Sequence, residues 1–193
     1  MAPLATRLTL EEYDRIYGHE SGWEFRSGVA HRKPVPTFLH GVLAILLGDL
    51  LRLAGYFASV EVDVRLTDDW TPRPDACGVR QRVQGKYPTS VDVVCEVLSE
   101  NEDILTKCRD YEDSGRVGQI FVFNIEDKTI QTWNGGELVL VTDLLLKNGV
   151  TITGRTVWSE LDKREKERPA PPHLRWSLIC YDLLKLSARI SVS

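Results

Sequence analysis

The chain has 193 residues, 42% hydrophobic and 27% charged, a composition typical of one globular domain with a sizeable core. Its net charge of −4 excludes a global basic field for nucleic-acid binding, although it leaves room for a local basic groove. No N-terminal secretory signal stands out, and the longest apolar run, residues 42–53, is too short to cross a bilayer. We therefore expect a cytoplasmic protein without a membrane partner.

The N-terminal residues predict a helix followed by a hairpin. Thr9 and Glu12 have the spacing of a capping box, so a short helix should cover about residues 10–17. Residues 23–26 and 29–32 should then form two paired strands, because they flank a Ser-Gly turn.

A proline-rich break leads into the most apolar helix of the chain. Thr37 is a candidate N-cap and Gly55 a stop signal, so this helix should reach about Ala54. Leucine or isoleucine occupies nearly every face, which predicts deep burial or a homodimer contact. His40 falls in the first turn, where a histidine is more often a surface or cap-region group than a catalytic base.

The next two apolar runs predict strands. Residues 57–66 alternate apolar and polar side chains, which indicates a half-exposed strand with Glu61 and Asp63 on its wet face. Asp75 follows a proline and opens a second, short apolar run. The basic residues between this run and the following one, within residues 80–90, indicate either a solvated loop or a phosphate-gripping loop.

Residues 91–98 are β-branched and apolar enough for a buried central strand, yet they include Glu96. A buried carboxylate is unfavourable unless a cation, a proton or hydrogen-bond donors compensate it. In the helix expected next, Asp103, Lys107 and Tyr111 recur at every fourth residue and would share one face. A surface ion pair between Asp103 and Lys107 is the ordinary interpretation of this spacing, but Glu96 just upstream favours a functional site.

The rest of the chain predicts short strands and then a change of character. Turn signals separate four strands after that helix: residues 119–123, 129–133, 138–141 and 150–152. A short helix should cover residues 157–161, before a charged and then proline-rich segment begins. We therefore divide the chain into a domain, residues 1–161, and a linker with one amphipathic helix, residues 162–193.

The four cysteines lack the paired spacing of a zinc site or a redox motif. They fall in predicted strands and helices, so we expect reduced, partly buried thiols. They are Cys77, Cys95, Cys108 and Cys180.

In order, these motifs resemble the Uma-two family of putative restriction endonucleases, within the PD-(D/E)XK nuclease superfamily. The resemblance spans about residues 8–161, and its elements are the hairpin at Trp23–Gly28, Pro36 with His40, Pro74-Asp75, Glu96-Val97-Leu98-Ser99, Asp103, Lys107, Tyr111 and Gly115. The usual superfamily motif has its lysine two residues after the second acid. Here that position is Leu98, and Lys107 on the following helix matches the Uma-two variant.

The resemblance implies an α/β fold with a restriction-endonuclease-like mixed β-sheet core flanked by helices, preceded by a helix and hairpin. It implies an Mg²⁺-dependent endonuclease that hydrolyses DNA, with Mn²⁺ as an alternative ion. Asp75 and Glu96 would hold the metal together with the Val97 carbonyl. Lys107 would orient or help to deprotonate the attacking water.

Four further residues are implied as accessory groups: Glu24, Asp103, Tyr111 and His40. Glu24 would hold a second metal ion or its water, unless it is simply a solvent-facing strand residue. Asp103 would position Lys107. Tyr111 would line the groove or pack, and His40 would line the site or contact DNA.

Two alternatives stay open. A module that keeps the fold could bind DNA or protein without catalysis, its carboxylates occupied by internal pairs. The acidic net charge and the departures from the family pattern at Ser27, Gln119 and Asn124 support it. A different hydrolase using paired carboxylates is weaker, because no nucleophile motif of recognisable context appears.

Overall fold

The computed structural model describes residues 7–20, 22–100, 102–166 and the backbone of residues 191–192. The helices in these ranges are α1 (Leu10–Tyr17), α2 (Phe38–Leu53), α3 (Ile104–Asp113) and α4 (Gly154–Lys166). The strands are β1 (Trp23–Arg26), β2 (Val29–Arg32), β3 (Phe57–Val60), β4 (Trp70–Thr71), β5 (Ala76–Val79), β6 (Val93–Val97), β7 (Ile120–Asn124), β8 (Thr129–Asn134), β9 (Glu137–Val141), β10 (Asp143–Leu145), β11 (Val150–Thr153) and β12 (Ser191–Val192).

A six-stranded mixed sheet forms the centre, in the order β3-β5-β6-β7-β8-β9. Its neighbouring strands are antiparallel except for β6 and β7, which are parallel. Parallel neighbours need a crossover connection, and α3 provides it. Two three-stranded sheets, β2-β1-β4 and β10-β11-β12, complete the described strands.

Helices cover both faces of the central sheet. Side chains on a strand alternate between faces, and β6 sends Val93, Cys95 and Val97 into a core shared with α2 and α4. Val94 belongs to a second core that includes Cys108 and Tyr111 of α3. Glu96 has the parity of Val94, so the buried acid faces α3.

The predicted helix at residues 38–54 is confirmed as a buried element. The Thr37 side chain accepts a hydrogen bond from the His40 N–H, as an N-cap does. Five leucines of α2 are at most 1% exposed: Leu43, Leu46, Leu47, Leu50 and Leu51. They pack within one core cluster with β5, β6 and β7. Burial inside the fold explains this composition, and the homodimer contact stays a prediction.

The N-terminal predictions are also confirmed. Thr9 and Glu12 form the capping box of α1, and β1 pairs antiparallel with β2. At the turn between these strands, Ser27 and Gly28 both have positive φ, 51° and 79°. This left-handed pair suits a tight hairpin.

The strand predicted over residues 57–66 is too long, because β3 ends at Val60 and Glu61 adopts a φ of 50°. Asp63 is 4% exposed and pairs with Arg73 at 2.7 Å, so its predicted place on a wet face is wrong. Short strands β4 and β10 were not predicted, since two or three residues carry too little periodicity to be recognised.

The linker predicted from residue 162 is wrong over its first five residues, because α4 continues to Lys166. Val157 and Leu161 are buried one turn apart, and Glu160 is buried as well, so one face of α4 docks. The last turn of α4 is rich in basic residues, which are favourable at a helix C-terminus. In the sequence alone, the same residues look like a charged linker. Residues 167–190 and 193, which hold the rest of the predicted linker and its amphipathic helix, lie outside the described residues, and residues 191–192 pair with β11.

Cys77, Cys95 and Cys108 are buried and unbridged, as predicted, whereas Cys180 lies outside the described residues. Burial raises the pKa of Cys77 to about 12. Across the described part of the chain, none of the helices combines the length and apolar character that a membrane crossing requires.

Candidate active site

Two buried acids meet at one end of β5 and β6. The register that pairs Ala76 with Cys95 brings Asp75, the residue before β5, alongside Glu96. Asp75 is 1% exposed and Glu96 fully buried. Two adjacent buried carboxylates repel one another and lose their hydration, so the site depends on the cations and donors around them.

Helix α3 supplies the partners of Glu96. The Lys107 ammonium donates to Oε2 of Glu96 at 3.1 Å, and the Tyr111 hydroxyl donates to Oε1 at 2.6 Å. The four-residue spacing on α3 places both groups over the same carboxylate. Lys107 Nζ also lies 3.0 Å from Glu102 and 3.5 Å from Glu24.

Asp75 is held from three directions. Lys33 donates to Oδ1 at 3.0 Å, while His40 Nε2 and the Val97 N–H lie 3.1 Å and 2.8 Å from Oδ2. His40 Nδ1 is 3.3 Å from the Ser99 hydroxyl, and Nε2 carries the proton that bonds to Oδ2 of Asp75. Val97 therefore contacts Asp75 by donating its backbone N–H.

The two acids titrate differently. Burial raises the pKa of Glu96 to about 8, although the Lys107 charge opposes the shift. Burial would also raise the pKa of Asp75, but the His40 hydrogen bond and the Lys33 charge together lower it well below its ordinary value. Burial would lower the pKa of Lys107, yet Glu96, with other acids nearby, raises it well above its ordinary value. Such opposed environments are typical of functional carboxylate pairs.

Sequence reasoning missed three charged groups of the site: Lys33, Glu61 and Glu102. Lys33 lies directly after β2, and Glu61 directly after β3. Their side chains meet at 3.3 Å across 28 residues of sequence. No local pattern marks them, because the folding of the hairpin against β3 creates the contact.

Asp103 does not take the position predicted for it. It is the exposed N-cap of α3, and its side chain accepts the Thr106 N–H at 3.1 Å. Its neighbour Glu102 contacts Lys107 instead. Glu24 reaches Lys107 and also accepts the Arg73 N–H at 2.9 Å, so it faces the site rather than solvent alone.

A cavity of ≈ 370 Å³ opens beside Asp75. Its walls are largely apolar, and its polar lining comprises Lys33, His40, Glu61, Asp75, Ser99 and Glu102. One potential ligand atom from each of His40, Glu61 and Asp75 lies within 4.8 Å of the other two. Carboxylate oxygens are the donors that hard divalent ions prefer, so this set fits a metal such as Mg²⁺ or Mn²⁺.

The basic loop at residues 80–90 lies away from this site. It joins the end of β5 to β6, whereas Asp75 and Val97 are at the opposite ends of those strands. Arg80 pairs with Asp92 at 2.7 Å, and Arg82 and Lys86 are exposed. The structure therefore favours the solvated-loop interpretation over a phosphate grip at the acids.

Comparisons with known proteins agree with this architecture. The family model Uma2, described as "Putative restriction endonuclease", matches residues 10–172. Among solved structures, a putative nuclease belonging to DUF820 from Anabaena variabilis ATCC 29413 superposes with a TM-score of 0.63. The two sequences are 15% identical, and the match covers 80% of this chain and 99% of that one. No curated protein matches the sequence. These findings confirm the predicted resemblance and the predicted α/β fold.

Proposed function

Since this chain belongs to the Uma2 family of putative restriction endonucleases, we propose that it hydrolyses DNA phosphodiester bonds in a divalent-metal-dependent reaction. The observation that carries the proposal is the convergence of Asp75, Glu96 and Lys107. Asp75 directly precedes β5, Glu96 lies on β6 and Lys107 on α3, and Lys107 Nζ lies 3.1 Å from Glu96. Two carboxylates and an ammonium group in one buried cluster, with Asp75 lining the adjacent cavity, suit phosphoryl chemistry, in which negative charge must be held and neutralised.

Asp75 and Glu96 would hold Mg²⁺ or Mn²⁺, together with the Val97 carbonyl. His40 and Glu61 would add donors, because their ligand atoms cluster with one of Asp75. When bound, such an ion offsets phosphate charge and makes a water a better nucleophile near neutral pH. Asp75 suits this role because its lowered pKa keeps it ionised.

Lys107 would orient the attacking water and offset phosphate charge. Its pKa is raised well above the ordinary value, so the group stays an ammonium and donates protons to hydrogen bonds rather than accepting one. Its side chain is 10% exposed, and its Nζ lies 3.0 Å from Glu102, which lines the cavity. Glu24 and Glu102 position it by pairing with it, and Tyr111 positions Glu96.

The test is cleavage of supercoiled plasmid DNA by the full chain, with Mg²⁺ or Mn²⁺ and with a chelator. Asp75→Ala and Glu96→Ala should each abolish metal-dependent cleavage while the circular dichroism spectrum stays native. Asp162→Ala is the matched control, because this acid pairs with Lys128 on the surface. Undiminished cleavage by either site variant would reject the assignment.

Lys107→Ala separates chemistry from metal binding. We expect lost turnover with metal affinity retained in a calorimetric titration, because the ammonium contacts the acids but donates no ligand atom. Lys128→Ala, which breaks a surface ion pair, should leave both quantities unchanged. Loss of metal binding and turnover together would make Lys107 a structural residue.

One observation favours a second candidate, a nuclease-fold module that binds DNA without cutting it. Both acids already have internal cations, since Lys33 pairs with Asp75 and Lys107 with Glu96. Fluorescence anisotropy with a labelled duplex distinguishes the candidates: binding with and without metal, without cleavage in either condition, would favour the module. A homodimer would place two such sites on one duplex, and light scattering tests that prediction.

A further inference from the structure

Four oxygen atoms surround the Lys33 ammonium. Its Nζ is 2.8 Å from the Arg73 carbonyl and 3.0 Å from Oδ1 of Asp75. Both carboxylate oxygens of Glu61 lie 3.3 Å away. The side chain is only 13% exposed, so these four oxygens, rather than water, provide most of its solvation.

The same oxygens form a donor set for a hard divalent ion. Carboxylates and backbone carbonyls are the ligands such ions take in proteins. Asp75 and Glu61 also belong to the cluster in which one donor atom per residue, with His40, lies within 4.8 Å of the others. An ammonium and a divalent ion cannot both occupy the space between these two carboxylates, since like charges at that distance repel strongly.

The cavity beside Asp75 offers Lys33 an alternative position for its side chain. The cavity of ≈ 370 Å³ beside Asp75 is lined by Lys33 itself and by Pro34, Val60 and Ile45. A lysine has a flexible four-carbon stem that lies well against apolar walls while its ammonium reaches water. The stem can therefore withdraw along the cavity without unfolding the neighbouring strands.

We propose that Lys33 is an internal competitor for the metal, whose ammonium occupies the Asp75–Glu61 cation site and must withdraw before a divalent ion binds. The inference rests on the proposed function only in placing the ion at Asp75. Lys33 then sets the metal concentration at which the site loads, and it keeps the acids neutralised until that concentration is reached.

The first test is calorimetric titration of the full chain with Mn²⁺, without DNA. Lys33→Met keeps an unbranched side chain, one atom shorter, but removes the charge, and this variant should bind Mn²⁺ at least tenfold more tightly than the native chain. Lys33→Arg keeps the charge and should gain nothing, and Lys128→Met controls for loss of a surface lysine. A gain below threefold for a natively folded Lys33→Met variant would overturn the proposal.

The second test uses the unaltered chain and so does not depend on a variant that folds. An amine-acylating reagent, followed by peptide mass spectrometry, should modify Lys33 faster when Mn²⁺ is added, because the displaced amine reaches solvent. Lys128 should not change. Unchanged or slower modification of Lys33 at saturating Mn²⁺ would overturn displacement.

These readouts separate the two proposals. A tenfold gain in Mn²⁺ affinity for Lys33→Met, with no cleavage of DNA by any form of the chain, would reject the nuclease activity and support the competitor. Metal-dependent cleavage without that gain would reject the competitor and leave the nuclease proposal standing.

Discussion

Tyr111→Phe removes a single hydroxyl from the buried site and nothing else. The hydroxyl donates to Oε1 of Glu96 at 2.6 Å, and both residues are fully buried. The ring itself stays useful to the fold, since it packs against Trp70 at a centroid distance of 5.0 Å. Any loss of stability therefore reports on the hydrogen bond rather than on packing.

The expected magnitude depends on pH. Because the pKa of Glu96 is raised to about 8, at pH 6 the variant loses a hydrogen bond to a neutral carboxyl group, which contributes about 1 kcal/mol to the free energy of unfolding. At pH 9 it loses a bond to a buried carboxylate, which contributes about 2–3 kcal/mol. We therefore expect the destabilisation to grow by roughly 1–2 kcal/mol between these pH values.

The assay is urea unfolding of the metal-free chain at pH 6 and pH 9. Tyr13→Phe is the matched control, because Tyr13 is equally buried and its hydroxyl has no hydrogen-bond partner among the described residues. That control should stay within about 0.5 kcal/mol of the native chain or stabilise it. If Tyr111→Phe costs no more than Tyr13→Phe at both pH values, the hydrogen bond to Glu96 does not hold the site together.

Three further predictions concern the buried charges and thiols. Arg73→Ala leaves Asp63 buried and unpaired, so urea unfolding should show a loss of about 3–5 kcal/mol, and a loss below about 1 kcal/mol would contradict a buried pair. The folded chain raises the pKa of Glu96 from 4.5 to about 8, so this group's stabilisation of the metal-free fold is full below pH 4.5 and disappears as pH rises through about 8. Thermal melts against pH should show that decline, and Glu96→Gln should flatten it; parallel curves would refute it. The three described cysteines should resist iodoacetamide in the native chain and react in urea, by peptide mass spectrometry, and ready native labelling would contradict their burial.

Local patterns in the sequence predicted the elements that place Glu96 and Lys107. A β-branched run gives β6, whose five residues are all buried, and spacing by four gives one face of α3. The capping box and the Ser-Gly turn were equally visible, because each depends on residues a few positions apart. These interactions are settled within a single element and its cap.

The same reasoning failed where a helix or strand ends. Asp103 has the right spacing from Lys107, but α3 begins at Ile104, so Asp103 becomes the cap and its side chain turns to the Thr106 N–H. The alternation from residue 57 continues in sequence past Val60, while the backbone leaves the strand at Glu61. Periodicity describes a regular element and does not state where that element stops.

Contacts between distant segments account for the rest of the site. Lys33 and Asp75 are 42 residues apart, and the hydrogen bond between them depends on how the β1–β2 hairpin lies against the edge of the sheet. Lys33 follows a strand in a charged, proline-rich stretch, and no neighbouring residue in the sequence indicates that it is buried. Its surroundings define it, because the oxygens of Arg73, Asp75 and Glu61 converge only after folding.

The position of the lysine has a structural consequence. With Leu98 two residues after Glu96, the strand itself offers no cation, and both oxygens of that acid are held by α3, through Lys107 and Tyr111. Docking of α3 therefore buries the acid and supplies its charge partner in one step. Since a buried carboxylate without a partner is strongly unfavourable, β6 cannot take its native place in the sheet unless α3 is docked or Glu96 is protonated. Because the pKa of Glu96 is raised to about 8, its carboxyl group is neutral at lower pH, and only above that pH must the site and the second core form together.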